Sequence, residues 1–244
     1  GSGITTGSDN TFIGRKGGNG TTTGAQNTAL GQDALYTNST GSYNVALGSQ
    51  ALNLATTANH NVSIGHQSMY ANTTGTLNVA MGSHALDANT TGSNNSAVGY
   101  NALGANTTAS NNTAVGKSAL VANTSGGNNT GVGSAALAAN TTGANNTAVG
   151  MYAGDAITTG SNNTSVGQGS LTVATTPDNN TAIGSLSLHL TTTGNNNTAV
   201  GKSTLYTNTT GTENTVVGHN GLYSNSTGSY NVGLGRNALF TNTT

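Results

Sequence analysis

NNTAVG stands at residues 111–116, again at 145–150 and again at 196–201. Those starts lie 34 and 51 residues apart, both multiples of 17. The glycine that closes the phrase recurs at 14, 31, 48, 65, 82, 99, 116, 133, 150, 167, 184, 201, 218 and 235, always at an interval of 17. The asparagine four places earlier runs unbroken from Asn10 and Asn27 to Asn214 and Asn231. The residue before the glycine is always aliphatic or Met, as at Ile13, Met81, Val115, Val149 and Leu234. Four places after the glycine stands Leu or Met, as at Leu35, Met69, Leu120, Leu137 and Leu239, except at Gly18 and Gly154.

Fourteen copies without an insertion or deletion are the signature of a stacked array. A flexible linker has no reason to keep phase, because its properties depend on length and solvation. In a stack, one added residue would turn the following side chains to the wrong face. Composition points the same way. Charged residues are 5%, aromatics 4%, and the formal net charge is −1. Leu, Ile, Val and Phe make up 39 of 244 residues. That is little apolar mass, but it comes without the high net charge of a disordered chain. A thin core of small residues fits.

Within Asn112–Gly116 the run Thr113, Ala114, Val115 is β-compatible, with Thr113 and Val115 on one face and Ala114 on the other. Asn and Gly at its ends tolerate left-handed backbone. A second extended piece, SAL at 118–120, and a punctuated NTTG segment complete the repeat. No 3.6-residue stripe develops, so helix is disfavoured. The predicted fold is all-β: a parallel β-solenoid with one 17-residue repeat per coil and two or three short strands per turn, alone or within a homotrimer. The whole of 1–244 reads as a single array of fourteen coils. Because both ends stop in mid-motif, the expectation is an excerpt of a longer fibre, or end-to-end association through open β edges.

The columns then take structural roles. Val115 and Leu120, like Val149 and Leu137, are expected to stack inside the coil. Asn112 and Asn146 are expected to form ladders of side-chain amides, and Gly116 and Gly150 to need positive φ or room for a close approach. Small residues around Ala114 and Ala119 imply another backbone nearby. The TTG glycine column accepts Ala58, Ala109 and Pro177, so it should not require a left-handed turn.

The phrases NTAVG, NVALG and NNSAVG, joined by ANTTGSNN, resemble the repeats of bacteriophage tail-fibre proteins and related bacterial tail-fibre-domain proteins. More loosely they are similar to the NSVAIG-type head repeats of trimeric autotransporter adhesins. The period of 17 is longer than in those heads, and the Asn-to-Gly spacing is one residue tighter. The resemblance covers all fourteen units. It implies a virion-surface or cell-surface fibre, often a homotrimer, that gives reach and attachment, and it implies no catalytic residue.

The scattered chemistry agrees with that expectation. Asp9, Asp33, Asp87, Asp155, Asp178 and Glu213 form no recurring pair, there is no Asp column for calcium, and there are no cysteines. His66 and His84 lie in adjacent repeats and are placed to approach each other. No enzyme activity and no cofactor or metal are expected. Five Lys plus Arg give no basis for nucleic-acid binding, and no apolar run is long enough for membrane insertion. Asn-x-Ser/Thr acceptors make Asn38, Asn72, Asn89, Asn106, Asn123, Asn140, Asn208 and Asn225 candidate glycosylation sites, with a second set at Asn94, Asn111, Asn128, Asn145 and Asn162. Expected partners are self, through coil stacking, end-to-end association or trimerisation, and cell-surface glycans stacking on Tyr36, Tyr70, Tyr206, Tyr223, Phe240, Tyr43 or Tyr230. The functional expectation is an extracellular structural shaft. The alternatives are a self-assembling glycan-coated filament, or an ice- or glycan-binding surface of which the Thr73-Thr74 pair and its equivalents are the feature.

Overall fold

A computed structural model describes residues 3–244 of the chain. Contacts divide it into two compact units, one ending at Ser125 and one running from Gly126 to Thr244. The first holds seven three-residue strands: β1 Thr11–Ile13, β2 Thr28–Leu30, β3 Val45–Leu47, β4 Val62–Ile64, β5 Val79–Met81, β6 Ser96–Val98 and β7 Thr113–Val115. The second holds β8 Thr130–Val132, β9 Thr147–Val149, β10 Thr164–Val166, β11 Thr181–Ile183, β12 Thr198–Val200, β13 Thr215–Val217 and β14 Val232–Leu234. Within each unit every strand pairs in parallel with the next, and each residue lies opposite its equivalent 17 places on. Thr28 pairs with Val45 in the first unit, and Thr181 with Thr198 in the second. The fold is a β-solenoid with one coil per repeat.

Each coil contributes one strand, not two or three, yet coil-to-coil hydrogen bonding continues round the turn. From Val79 onward, Val79 N–H donates to Asn95 O at 2.8 Å, Leu86 N–H to Ala102 O at 3.0 Å and Thr90 N–H to Thr107 O at 2.8 Å. Gly82 N–H and His84 N–H reach the other way, to Ile64 O at 2.8 Å and His66 O at 3.0 Å. The SAL piece is turn, not strand, because φ changes sign at alternate residues. Gly116 has φ 133°, Ser118 56° and Leu120 52°. The whole Leu column is left-handed, from Leu35 at 51° to Leu222 at 45°. A left-handed L-residue costs about 1–2 kcal/mol, whereas burying a Leu gains about 1.5–3 kcal/mol. Leu35, Leu120 and Leu222 are fully buried, so burial wins. The two exceptions in the column follow from the same backbone: Gly18 and Gly154 have φ 59° and 58°.

The core departs from expectation at one column. Leu120 and Leu137 are inside, but Val115 and Val149 are each 39% exposed, while Ala114 and Ala148 are fully buried. Side chains alternate across a strand. The buried Asn112 shares the inward face with Ala114, which leaves Thr113 and Val115 outside. The interior is therefore a Leu column, two columns of Ala or similarly small residues, and walls of amide.

Departures from these columns are matched in kind. Phe12 stands where most repeats have Ala, and its ring fills the space beside Gly18, where the Leu is missing. Ile157 fills the gap at Gly154. Val216 meets Gly221 and, in the next coil, Gly233. Where both small columns turn polar, the hydroxyls pair. Ser63 bonds Ser68, and Ser165 bonds Ser170 at 2.6 Å.

Candidate functional site

The side chains with recurring, specific geometry form ladders between coils. Asn44 shows the first. Its N–H and Nδ2 both donate to Asn27 Oδ1, at 3.0 and 3.1 Å, and Nδ2 also reaches Ala58 O at 2.8 Å. Asn61, Asn163, Asn197 and Asn214 repeat the pattern. Asn112 N–H donates to Asn95 Oδ1 at 3.0 Å and Asn146 N–H to Asn129 Oδ1 at 2.9 Å. Each bond is worth about 0.5–1.5 kcal/mol net, and the unbroken column sums them.

The NTTG segment builds a second amide ladder. Asn89 Nδ2 donates to Asn72 Oδ1 at 2.7 Å and to Gly92 O at 3.0 Å. That carbonyl also accepts Asn78 Nδ2 at 2.9 Å, so one backbone oxygen is held by two amides. At Ala55 the column lacks an amide, and Asn38 Oδ1, in the coil before, is buried with no partner. Two hydroxyl ladders complete the set. The first Thr of each pair donates to the next coil, as Thr73 Oγ1 does to Thr90 O at 2.9 Å. Thr76 and Ser93 N–H donate to Ser93 Oγ and Ser110 Oγ, both at 3.0 Å.

The burial of this second column corrects the glycosylation expectation. Asn38, Asn72, Asn89, Asn106, Asn123, Asn140, Asn208 and Asn225 are all fully buried. Their Nδ2 atoms, to which a sugar would be joined, instead hold carbonyl oxygens. The ladder Thr, such as Thr73, is the middle residue of the motif, and the Thr that completes it, such as Thr74, is the exposed second member of the pair. The second set, Asn94, Asn111, Asn128, Asn145 and Asn162, is exposed. The glycine columns behave as read. The strand-closing column has φ between 105° and 142°, and TTG glycines such as Gly41 and Gly92 lie outside the left-handed region.

Several of the aromatic residues stack on one another or on histidine, while Tyr230 is 74% exposed. His189, Tyr206, Tyr223 and Phe240 form a column with centroid spacings of 5.1, 5.0 and 5.3 Å. Tyr43 stacks on His60 at 4.7 Å. Rings that cover one another's faces leave those faces closed to sugars. His66 and His84 do approach, edge to face at 5.6 Å, and His84 Nδ1 lies 3.3 Å from Asp87 Oδ2. Among the described residues no group of three His, Cys, Asp or Glu is placed to hold a metal ion, no pocket is formed, and no helix is long and apolar enough to cross a membrane.

One carboxylate stands out. In the column that follows the buried Leu, Asn53 Nδ2 donates to Asp33 O at 2.7 Å and Thr172 Oγ1 to Tyr152 O at 3.4 Å, while His189 Nδ1 lies 3.0 Å from Gly169 O. Each reaches a carbonyl twenty residues earlier. Asp155 shares this column, and an ionised carboxylate has no proton to donate there. Its Oδ1 is buried without a partner. Burial raises its pKa, against the lowering effects of its own and Ala156's N–H groups and of His189. A raised native pKa favours folding at acid pH, and that contribution is lost as pH rises through the native value. Asp155→Asn supplies the missing donor. It is expected to stabilise the chain at neutral pH by roughly 1 kcal/mol, the net worth of one hydrogen bond. The gain should vanish below the ordinary carboxylate range, which thermal melts across pH will show.

Compared with known proteins, the chain matches no family model, no curated relative and no solved structure.

Proposed function

We propose that this chain is a structural shaft from an extracellular fibre, serving reach, stiffness and attachment. The observation that supports it is the continuity of the ladders. Within each unit, backbone bonds and the strand-side amide column join successive coils at equivalent positions, and the second amide ladder and the hydroxyl ladders add to them. Each coil contacts its neighbours, so stability accumulates along the array and unfolding proceeds by coils. Load applied to the ends is then shared by many short bonds per coil.

Force spectroscopy of the chain held near its two ends tests this. The expected trace has discrete lengthening steps, each a multiple of about 58 Å, the extended length of seventeen residues at ~3.4 Å each. Smooth extension at low force would remove the mechanical role. The extracellular placement is tested separately. Antibody against the chain should label intact source cells or particles, and labelling only after permeabilisation would overturn it.

A further inference from the structure

Among the described residues no segment covers the outward face of the strands, where Val115, Val149 and Ile183 are each 39% exposed. Its two columns are Thr, Val or Ser, as at Thr147, Thr164 and Thr181, and Val, Ile, Leu or Met, as at Val149, Val166 and Ile183. No charged residue interrupts either column. The charges next to the strands are sorted by sign, while Asp87 and Asp155 lie away from this face, five residues past the strand-closing glycine. Every Lys and Arg of the chain (Arg15, Lys16, Lys117, Lys202 and Arg236) falls within two residues after a strand-closing glycine. His66, His84 and His219 share that margin. Ahead of the strands stand Asp9, Asp178 and Glu213. Asp33, on the basic margin, is paired with Arg15 at 3.9 Å.

We propose that this face docks on the same face of a second copy of the chain, with the two coil axes pointing the same way. Charge sets the polarity. In a face-to-face pair related by a twofold parallel to the coil axis, the acidic margin of each copy meets the basic margin of the other. Reversing one copy would place acid on acid and base on base. In the unit from Gly126 to Thr244 the storeys also match. Glu213 and His219 flank the same strand, β13, and Lys202 and Arg236 follow the strands on either side. Pitch favours a copy over another partner, because only a surface repeating at the same strand spacing of ~4.8 Å engages every storey. Self-complementary patches of this kind are the usual basis of twofold dimers. The size bounds the strength. Seven strands cover roughly 34 Å by 10 Å, so one unit's face buries on the order of 700 Å² in total. That is below the ~1,200 Å² of a standard interface, and pairing through one unit is weak and concentration-dependent.

The chain has no cysteine, so a single introduced thiol reports the geometry. Thr215→Cys lies outward on β13. The proposed twofold reverses strand direction, so position 215 of one copy faces position 217 of the other, and Thr215→Cys mixed with Val217→Cys should be joined by a short bifunctional thiol reagent across the ~10 Å between the faces. Joining of Thr215→Cys to Thr147→Cys instead, on the strand of the same unit that meets β13 when one copy is reversed, would show opposed axes and overturn the proposed polarity. Sedimentation of the unmodified chain should show mass falling toward the monomer on dilution. Lys202→Glu with Arg236→Glu should weaken association about tenfold, equivalent to two rim charges at under 1 kcal/mol each. Adding Glu213→Lys to that pair should recover part of the loss. Val200→Lys, on an outward position, should abolish pairing while leaving the circular dichroism melt unchanged. A monomer at every concentration, or pairing unaffected by Val200→Lys, would overturn the inference. It rests on the shaft reading for its biological sense and not for its test. A chain that pairs but extends smoothly under force keeps this face and loses the shaft.

Discussion

Asn197→Ala is expected to destabilise the second unit by about 3–5 kcal/mol, at the upper end of single substitutions. Asn197 is fully buried. Truncation removes its Nδ2 bonds to Asn180 Oδ1 and Gly211 O, at 3.2 and 2.9 Å, and the two bonds its Oδ1 accepts from Asn214 N–H and Nδ2, both 3.0 Å. Gly211 O keeps Asn208 Nδ2, and Asn214 Nδ2 keeps Gly228 O. The Asn214 backbone N–H loses its acceptor in a buried site. Four bonds at about 1 kcal/mol each, one of them leaving a stranded donor, account for the estimate. Asn197→Asp divides the effect. It keeps both acceptor contacts, loses both donor contacts and buries a charge. Its loss should therefore shrink as pH falls and the carboxyl is protonated. Denaturant melts of both variants at neutral and acid pH supply the comparison. A loss under 1 kcal/mol for Asn197→Ala would mean the ladder is ornamental.

Gly184→Ala should cost a similar amount, about 3–5 kcal/mol. Two effects add. The residue has φ +130°, where an L side chain is strained by about 1–3 kcal/mol. Its new Cβ would also stand 2.6 Å from the backbone of Gly201, an overpacking worth about 1–3 kcal/mol. The control is a glycine of the TTG column. Gly92 lies outside the left-handed region, but its Cβ would overlap Ala109 O, so Gly92→Ala carries the overpacking without the backbone strain and should cost about 1–3 kcal/mol. Equal losses at the two positions would contradict the account of the columns given by their backbone angles.

The period, the parallel stacking, the amide ladder of Asn112 and the positive φ of Gly116 were all legible in the sequence, because each leaves a column with no exceptions. The side assigned to Val115 was not. Apolarity suggested the interior, but alternation along the strand couples Val115 to Asn112 with opposite sense, and the buried amide decides. An Asn ladder inside and a Val stack inside were incompatible readings of one short strand. The left-handed Leu120 was hidden because Leu is a poor marker of that conformation. The signal was the pair of exceptions, Gly18 and Gly154, in a column otherwise of Leu and Met. The acceptor motif at Asn123 misled because the spacing recorded a buried amide ladder followed, two residues on, by an exposed column of Thr and Ser. The sorting of charge to the strand margins emerges only when the chain is read modulo its period.

The matched exchanges in the core bear on how such a chain can change over generations. The bulk of Phe12 is answered at Gly18, the gap at Gly154 is answered at Ile157, and Ser63 and Ser165 each find a mate five residues on. All but the Val216 exchange close within a single turn of the chain, asking nothing of the turns on either side. A turn is thus a self-balanced cassette. Unequal crossing-over can copy, delete or reorder such cassettes without a second correcting mutation, so length becomes a heritable trait that drifts in steps of seventeen.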